Sequence, residues 1–420
     1  MDGEDQMTTR DRDILRTLAA EIAELAQDPV QQERIDGWKA LNSLEPVRPM
    51  LWITEIPWRE FEDDVTELRA QCADARARRV ERGLRRKIFT ARKLRVDEVL
   101  ATDFYVNRAI EGGGYGVEFK EERIEQGAAF IQSHHFLPVM KELDDVKKIK
   151  MPELRCNAER TAERVAFFED LFDGILDVKE AGVRQQSFVD WDLIVTWTGV
   201  TEALMDLMTR PDYIHAIMRR LTDSFLSAMT QLEEQNLLSY PHPLDRVHSG
   251  AAGYTDELPQ PGADPDHIRL IDQWGGVSPQ IFSDVSPEMH EEFALQYEIE
   301  VLSRCGLNYY GCCEPLHNKM HLMAKIPRLR KISVSAWCDV AKAVSEAEQP
   351  YVFSHKPSPA ILAEDAFSQE RAAEDMRDRL AKSGDMPSEF IMKDISTVRG
   401  DVNRIIAWCD MANRVIREQA

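Results

Sequence analysis

From about residue 159 onward, short apolar runs alternate with longer amphipathic stretches, and this pattern restricts the folds open to the chain. The runs are Arg184 to Asp190, Asp245 to His248, Val301 to Leu307 leading into the Cys312 strand, Lys331 to Ser335, Tyr351 to His355 and Glu389 to Asp394. Helical patterns fill the gaps, at about 159–181, at about 211–236, from Ser286-Pro287 to about 304, and over 401–418. Strands separated by helices pair in parallel. Met50 to Ile56 is a run of the same kind, entered after Pro46-Val47-Arg48-Pro49. Reactive residues gather where these runs end: Glu55, Asp190, His248, Cys312, His355 and Asp394. In a (β/α)8 barrel the chemistry sits at the C-terminal strand ends. The expected fold is therefore α/β, a (β/α)8 TIM barrel over residues 46–420 with an N-terminal helical extension over 1–45.

In that extension Thr8 or Thr9 is placed to cap a helix, and Pro29 should break it before a second stretch, Gln31 to Leu44. Residues 59–92 read as a charged helix whose Arg76–Arg86 patch is a solvated face. Gly112 to Gly116 is a glycine-rich turn, but it lacks the lysine of a phosphate-binding loop. Asp272-Gln273-Trp274-Gly275-Gly276 reads as loop, and Tyr254 to Asp266 as an active-site loop rather than a domain boundary.

Charge and composition exclude several classes. The net charge of −22 over 420 residues argues against a nucleic-acid partner, which requires basic surface. No segment approaches the ~20 consecutive apolar residues of a membrane span. The polar, acidic start MDGEDQMTTRDRD is not a secretory signal. Seven cysteines spread over the chain suit a reducing cytoplasm rather than a disulfide framework.

The densest chemistry lies in Asn308-Tyr309-Tyr310-Gly311-Cys312-Cys313-Glu314-Pro315-Leu316-His317. Thiolate and imidazole are ligands that Zn²⁺ prefers. The alternative is a buried structural cysteine pair. Because neighbouring strand residues face opposite ways, at most one of Cys312 and Cys313 faces inward unless the strand has already ended. His317 and His355 are the nearest imidazole candidates to complete a site. Glu55 beside Trp52 and Trp58 suggests an aromatic pocket with one anion, suited to a quaternary amine or an aryl ether; an ion pair with an arginine is the plainer reading. His248 is a candidate acid or base, and Tyr310 a hydrogen-bond donor to a leaving oxygen. Asp190 and Asp272, with Trp191 and Trp274 beside them, are candidate substrate contacts, although loop aspartates commonly cap helices.

Three stretches together resemble the uroporphyrinogen decarboxylase superfamily: Arg48-Pro49-Met50-Leu51-Trp52; Thr201 to Met208 with Pro211; and Ser286-Pro287-Glu288-Met289-His290-Glu291-Glu292-Phe293. The resemblance spans roughly residues 45–418 and implies a (β/α)8 barrel. Its decarboxylases hold an anionic substrate with arginines near the first strand, where this chain has Glu55. Its corrinoid-dependent methyltransferases carry His-x-Cys-Gly on a late strand and a further cysteine on the last strand, which bind zinc. Cys312 matches the first cysteine. Tyr310 stands in the histidine's place and Cys313 in the glycine's, and Asp394 lies where the last cysteine would be. A modified zinc set of Cys312, Cys313, His317 and His355 is the expectation, with Glu55, His248, Tyr310 and Asp394 as catalytic groups; a branch that has lost the metal is the alternative. The resemblance implies a methyltransferase that passes a methyl group from an O-methyl aryl ether or methylamine to a corrinoid on a partner protein, in a chain that is a possible homodimer. A cofactor-free decarboxylase or lyase is the second expectation.

Overall fold

A computed structural model describes residues 7–124, 133–240 and 246–419. Seven parallel strands form one sheet. In chain order they are β1 Met50–Ile53, β2 Gln185–Phe188, β3 Trp274–Val277, β4 Leu307–Tyr310, β5 Leu329–Val334, β6 Val352–His355 and β7 Ser388–Met392. Each pairs with its successor from β2 to β7, and β7 then pairs with β1, so the first and last strands lie side by side. That return is the signature of a barrel rather than an open sheet.

The place between β1 and β2 is taken by coil. Arg246 donates to Thr54 Oγ1 at 2.9 Å on the β1 side, and its carbonyl accepts from Gln185 Nε2 at 2.7 Å on the β2 side. His248 N donates to Gln185 Oε1 at 3.0 Å. The run expected as a strand at 245–248 is thus a side-chain-bridged turn, in which Arg246 bridges Ala252 in isolation; Asp245 lies outside the described residues.

Trp274, Gly275 and Gly276, expected as loop, lie in strand β3. Glycine is depleted in strands, but close packing requires it here. A Cβ on Gly276 would lie 2.3 Å from the Cβ of His248.

Side chains alternate in and out of the barrel with the period of two. Met50, Trp52, Val352 and Ile391 point in and form its floor with Ala251 and Ala252. Leu51, Ile53, Phe390 and Met392 point out against the helix Asn403–Gln419. Level with these floor residues, fully buried Lys331 and Glu389 pair at 2.8 Å. Trp38 and Leu41, from the helix Val30–Asn42, close the N-terminal end beneath Met50 and Trp52.

The first helix, Thr9–Leu25, is capped by Thr8, whose hydroxyl accepts from Asp11 N at 3.1 Å. The helix expected over 59–92 begins only at Ala75, capped by Asp74. The buried Glu81 carboxylate explains the delay. It accepts from Gln71 N and Cys72 N at 2.8 Å, holding that segment in turns. Between β1 and β2 lie short two-stranded pairs outside the barrel, including Asp103–Asn107 with Asp177–Ala181. Among the described residues no helix is long and apolar enough to cross a membrane.

Candidate active site at the barrel rim

Strand β4 ends at Tyr310, and Gly311 turns the chain with φ of 91°. Leaving the strand removes the alternation rule, so both following thiols face the same opening: Cys312 Sγ and Cys313 Sγ are 3.5 Å apart. Glu314 Oε2 accepts from Cys312 N at 3.0 Å and pins the turn.

Three strand ends and the coil at Ser249 supply the partners of Cys312. Lys393, the residue after β7, places Nζ 3.4 Å from Cys312 Sγ. Ser249 Oγ donates to the same sulfur at 3.3 Å. Lys356, the residue after β6, anchors the Cys312 carbonyl at 3.2 Å and Tyr309 OH at 2.9 Å. Ser333 of β5 donates to that carbonyl as well. The Cys313 thiol, the two ammonium groups and the Ser249 hydroxyl together push the Cys312 thiol down to about 4, against the opposing effect of burial. Cys313, donating to that sulfur, is pushed up in return. The pair therefore carries one negative charge, centred on Cys312. A thiolate in electropositive surroundings is a nucleophile.

The remaining rim is charged and partly open to solvent. Burial opposes the charge on Lys393, but Cys312, Asp394 and Glu55 hold its ammonium above the ordinary range. Asp394 Oδ2 lies 2.9 Å from Lys393 Nζ, and Asp394 N donates to Glu55 Oε2 at 3.0 Å. Arg246 pairs with Glu55 at 3.4 Å. His248 bonds Ser187 Oγ at 2.8 Å through Nδ1 and Ser278 Oγ at 3.1 Å through Nε2. Burial, reinforced by Lys356 and Arg246, pushes its imidazolium down to about 3, so the ring is neutral. Glu55, His248 and Asp394 all have left-handed backbones, with φ of 54°, 49° and 54°. Such conformations are costly for side-chain-bearing residues and concentrate at functional sites.

Glu55, His248, Cys312, Cys313 and Asp394 thus converge, but other residues expected at the site do not. His355 ends β6 pointing outward, where its Nε2 meets Ser383 Oγ at 3.0 Å and its ring stacks on Phe390. Tyr310 also points outward, bonded to His290 and Glu298 at 2.6 Å each. His317 Nδ1 accepts from Asp339 N at 3.1 Å in the loop beyond. Trp52 and Trp274 belong to the floor, and Trp274 donates to Gly253 O at 3.0 Å. Trp58 packs on Phe61 and Phe89 outside the strands. Trp191 is buried against Phe282. Asp272 precedes β3 at the opposite end, held by Arg269 and Gln260 N. Asp190 is fully buried, and burial pushes its carboxyl up to about 8.

The proposed zinc set does not fit. Both imidazoles are directed away from Cys312, and among the described residues no three His, Cys, Asp or Glu side chains are placed to hold a metal ion. The period of two explains this: if His355 faces out, Lys356 faces in. Lys356, Lys393 and Ser249 are the partners that a search for metal ligands passes over. Each is the chain neighbour of an expected site residue: His355, Asp394 and His248 respectively.

No protein-family model and no curated protein matches the sequence. Among solved structures, a methyltransferase from Methanosarcina mazei is similar to this chain with a TM-score of 0.46 and 10% identity, over 89% of this chain and 96% of that one.

Proposed function

We propose that this chain is a methyltransferase whose nucleophile is the Cys312 thiolate. The observation that carries the reading is the Cys312 sulfur, held between Lys393 Nζ and Ser249 Oγ at the C-terminal rim of the barrel. The proposed donor is a small methylated compound of the O-methyl aryl ether or methylamine type. Cys312 Sγ attacks the methyl carbon in line. An S–C bond forms, the carbon–heteroatom bond breaks, and its electron pair leaves with the heteroatom. The Lys393 ammonium faces the charge that develops on a departing aryl oxide; an ammonium donor departs as a neutral amine. Stabilising charge where it develops is the main lever available to such a site. A corrinoid on a partner protein is the proposed acceptor, and the thiolate is restored when the methyl group leaves.

A cofactor-free decarboxylase or lyase is the second reading. It is favoured by Lys356, whose ammonium burial pushes down to about 8 beside that of Lys393. Two neighbouring amines suit a carboxylate substrate.

Incubation with aryl ethers and methylamines bearing an isotopically labelled methyl group separates these readings. Peptide mass spectrometry is expected to find label on Cys312, absent from Cys312→Ser and retained in Cys313→Ser. Label uptake by Cys312→Ser, or none from any donor, overturns the methyltransferase reading. Carbon dioxide release from an unmethylated carboxylate would favour the lyase.

A further inference from the structure

Cys312 and Cys313 are sequence neighbours whose sulfurs touch at 3.5 Å. Methyl transfer needs only one of them. In an extended strand neighbouring side chains diverge, so the contact depends on the turn at Gly311. A Cβ there would lie 2.9 Å from Leu316 Cδ1 and 3.1 Å from Ser333 Cβ, at a φ of 91°. The other five cysteines lie elsewhere in the fold, and none of the seven is in a disulfide. Cys313 is the more exposed of the pair, and its sulfur faces Asp394 Oδ2 at 3.8 Å. A nucleophilic sulfur, an adjacent resolving thiol and a proton acceptor thus occupy one opening.

We propose that Cys312 and Cys313 form a two-electron thiol–disulfide site that reduces small disulfides and closes to a bond between adjacent residues. This rests on the reading of Cys312 as a thiolate, and it uses no methyl donor. Cys312 Sγ attacks one sulfur of the disulfide; the S–S bond breaks and one thiolate leaves. Cys313 gives its proton to Asp394, and its sulfur attacks Cys312 Sγ. The mixed disulfide breaks, and the second thiolate leaves with the proton taken from Asp394. Two electrons pass from the protein to the disulfide. Adjacent Cα atoms are only ~3.8 Å apart, closer than the ~4.4 Å lower bound usual for disulfides. The closed form is therefore strained and readily reduced again, so an excess of the small disulfide drives its formation. Closure also removes the thiolate, so the same exchange gates the rim chemistry.

The test uses 2-hydroxyethyl disulfide on the full chain, followed by peptide mapping after an acid quench. In the native protein, the peptide holding Cys312 and Cys313 is expected to lose two hydrogens without gaining an adduct, and dithiothreitol restores it. Cys313→Ser is expected to trap the adduct on Cys312, and Cys312→Ser to leave Cys313 unmodified. Alkylation of the other cysteines serves as the folding control for each variant. A lasting adduct in the native protein, untouched thiols, or an adduct on Cys313 but not on Cys312 would overturn the proposal. Closure without methyl uptake from any donor would leave this site standing and remove the methyltransferase reading; methyl uptake without closure would do the reverse.

Discussion

The Lys393 ammonium lies 3.4 Å from the Cys312 sulfur, across the barrel rim and 81 residues away in sequence. Neither residue creates the reactive thiolate alone. β7 delivers the lysine, and the turn after β4 delivers the cysteine.

Replacing the lysine should therefore raise the thiol's proton affinity. In Lys393→Gln the midpoint of Cys312 alkylation by iodoacetamide, followed against pH, should move up by roughly one pH unit, equivalent to ~1.4 kcal/mol. An unchanged profile would mean that Lys393 does not act on the sulfur.

His355 separates a metal site from a packing role. It stacks on Phe390 in a fully buried pocket outside the barrel. His355→Ala should cost about 2–4 kcal/mol through the cavity it leaves, read by denaturant unfolding. The alkylation rate of Cys312 and the zinc content of the purified protein should stay the same. Zinc lost with this substitution would restore the ligand reading.

The pH dependence of stability follows from Glu314, whose carboxyl burial pushes up to about 7 from the ordinary 4.5. Because the folded pKa is the higher one, the folded chain binds more protons in that window, and this group makes stability fall as pH rises from about 4.5 to about 7. Glu314→Gln keeps an acceptor for Cys312 N and removes the titration. Its melting temperature should be less pH-dependent across that window and should gain on the native protein most above pH 7. Parallel pH curves for the two proteins would count against the buried, protonated carboxyl.

Lys331 and Glu389 are an ion pair with no exposure. Lys331→Met leaves a buried carboxylate without its counter-ion and should cost about 3–5 kcal/mol. Adding Glu389→Gln, which retains acceptors for Ala251 N and Ser354, should recover much of that loss. A double variant no more stable than the single one would show that the charge is not the source of the cost.

Gly276→Ala tests the coil that stands between β1 and β2. The added methyl meets His248 Cβ at 2.3 Å, so overpacking should cost ~1–3 kcal/mol. The His248 ring should shift with it, which the imidazole NMR resonances would report. A variant as stable as the native protein would mean that the segment moves aside easily.

Much of the architecture was legible because it is local. Thr8, Pro29 and Ser286-Pro287 act within a turn of the helices they begin or break, and the apolar runs from β4 to β7 overlap the observed strands. The failures arise where distant contacts override local preference. Trp274 to Val277 is a strand paired on both sides, with glycine at 276 because His248 leaves no room for a Cβ. Gln71 and Cys72 stay out of the helix that begins at Ala75 because Glu81 binds their backbone.

The candidate site divides in the same way. Position at the end of an apolar run, visible in the chain, marked Glu55, His248, Cys312 and Asp394, which share one rim, but also Asp190 and His355, which do not join them. Orientation was not visible. One residue of register turns His355 outward and Lys356 inward, and one left-handed glycine brings two thiols that a strand would separate into contact. Sequence periodicity specifies which residues can share a surface, because that depends on backbone geometry repeated along each element. Which charges surround the sulfur depends on how strands far apart in the chain align, and only their packing together decided that.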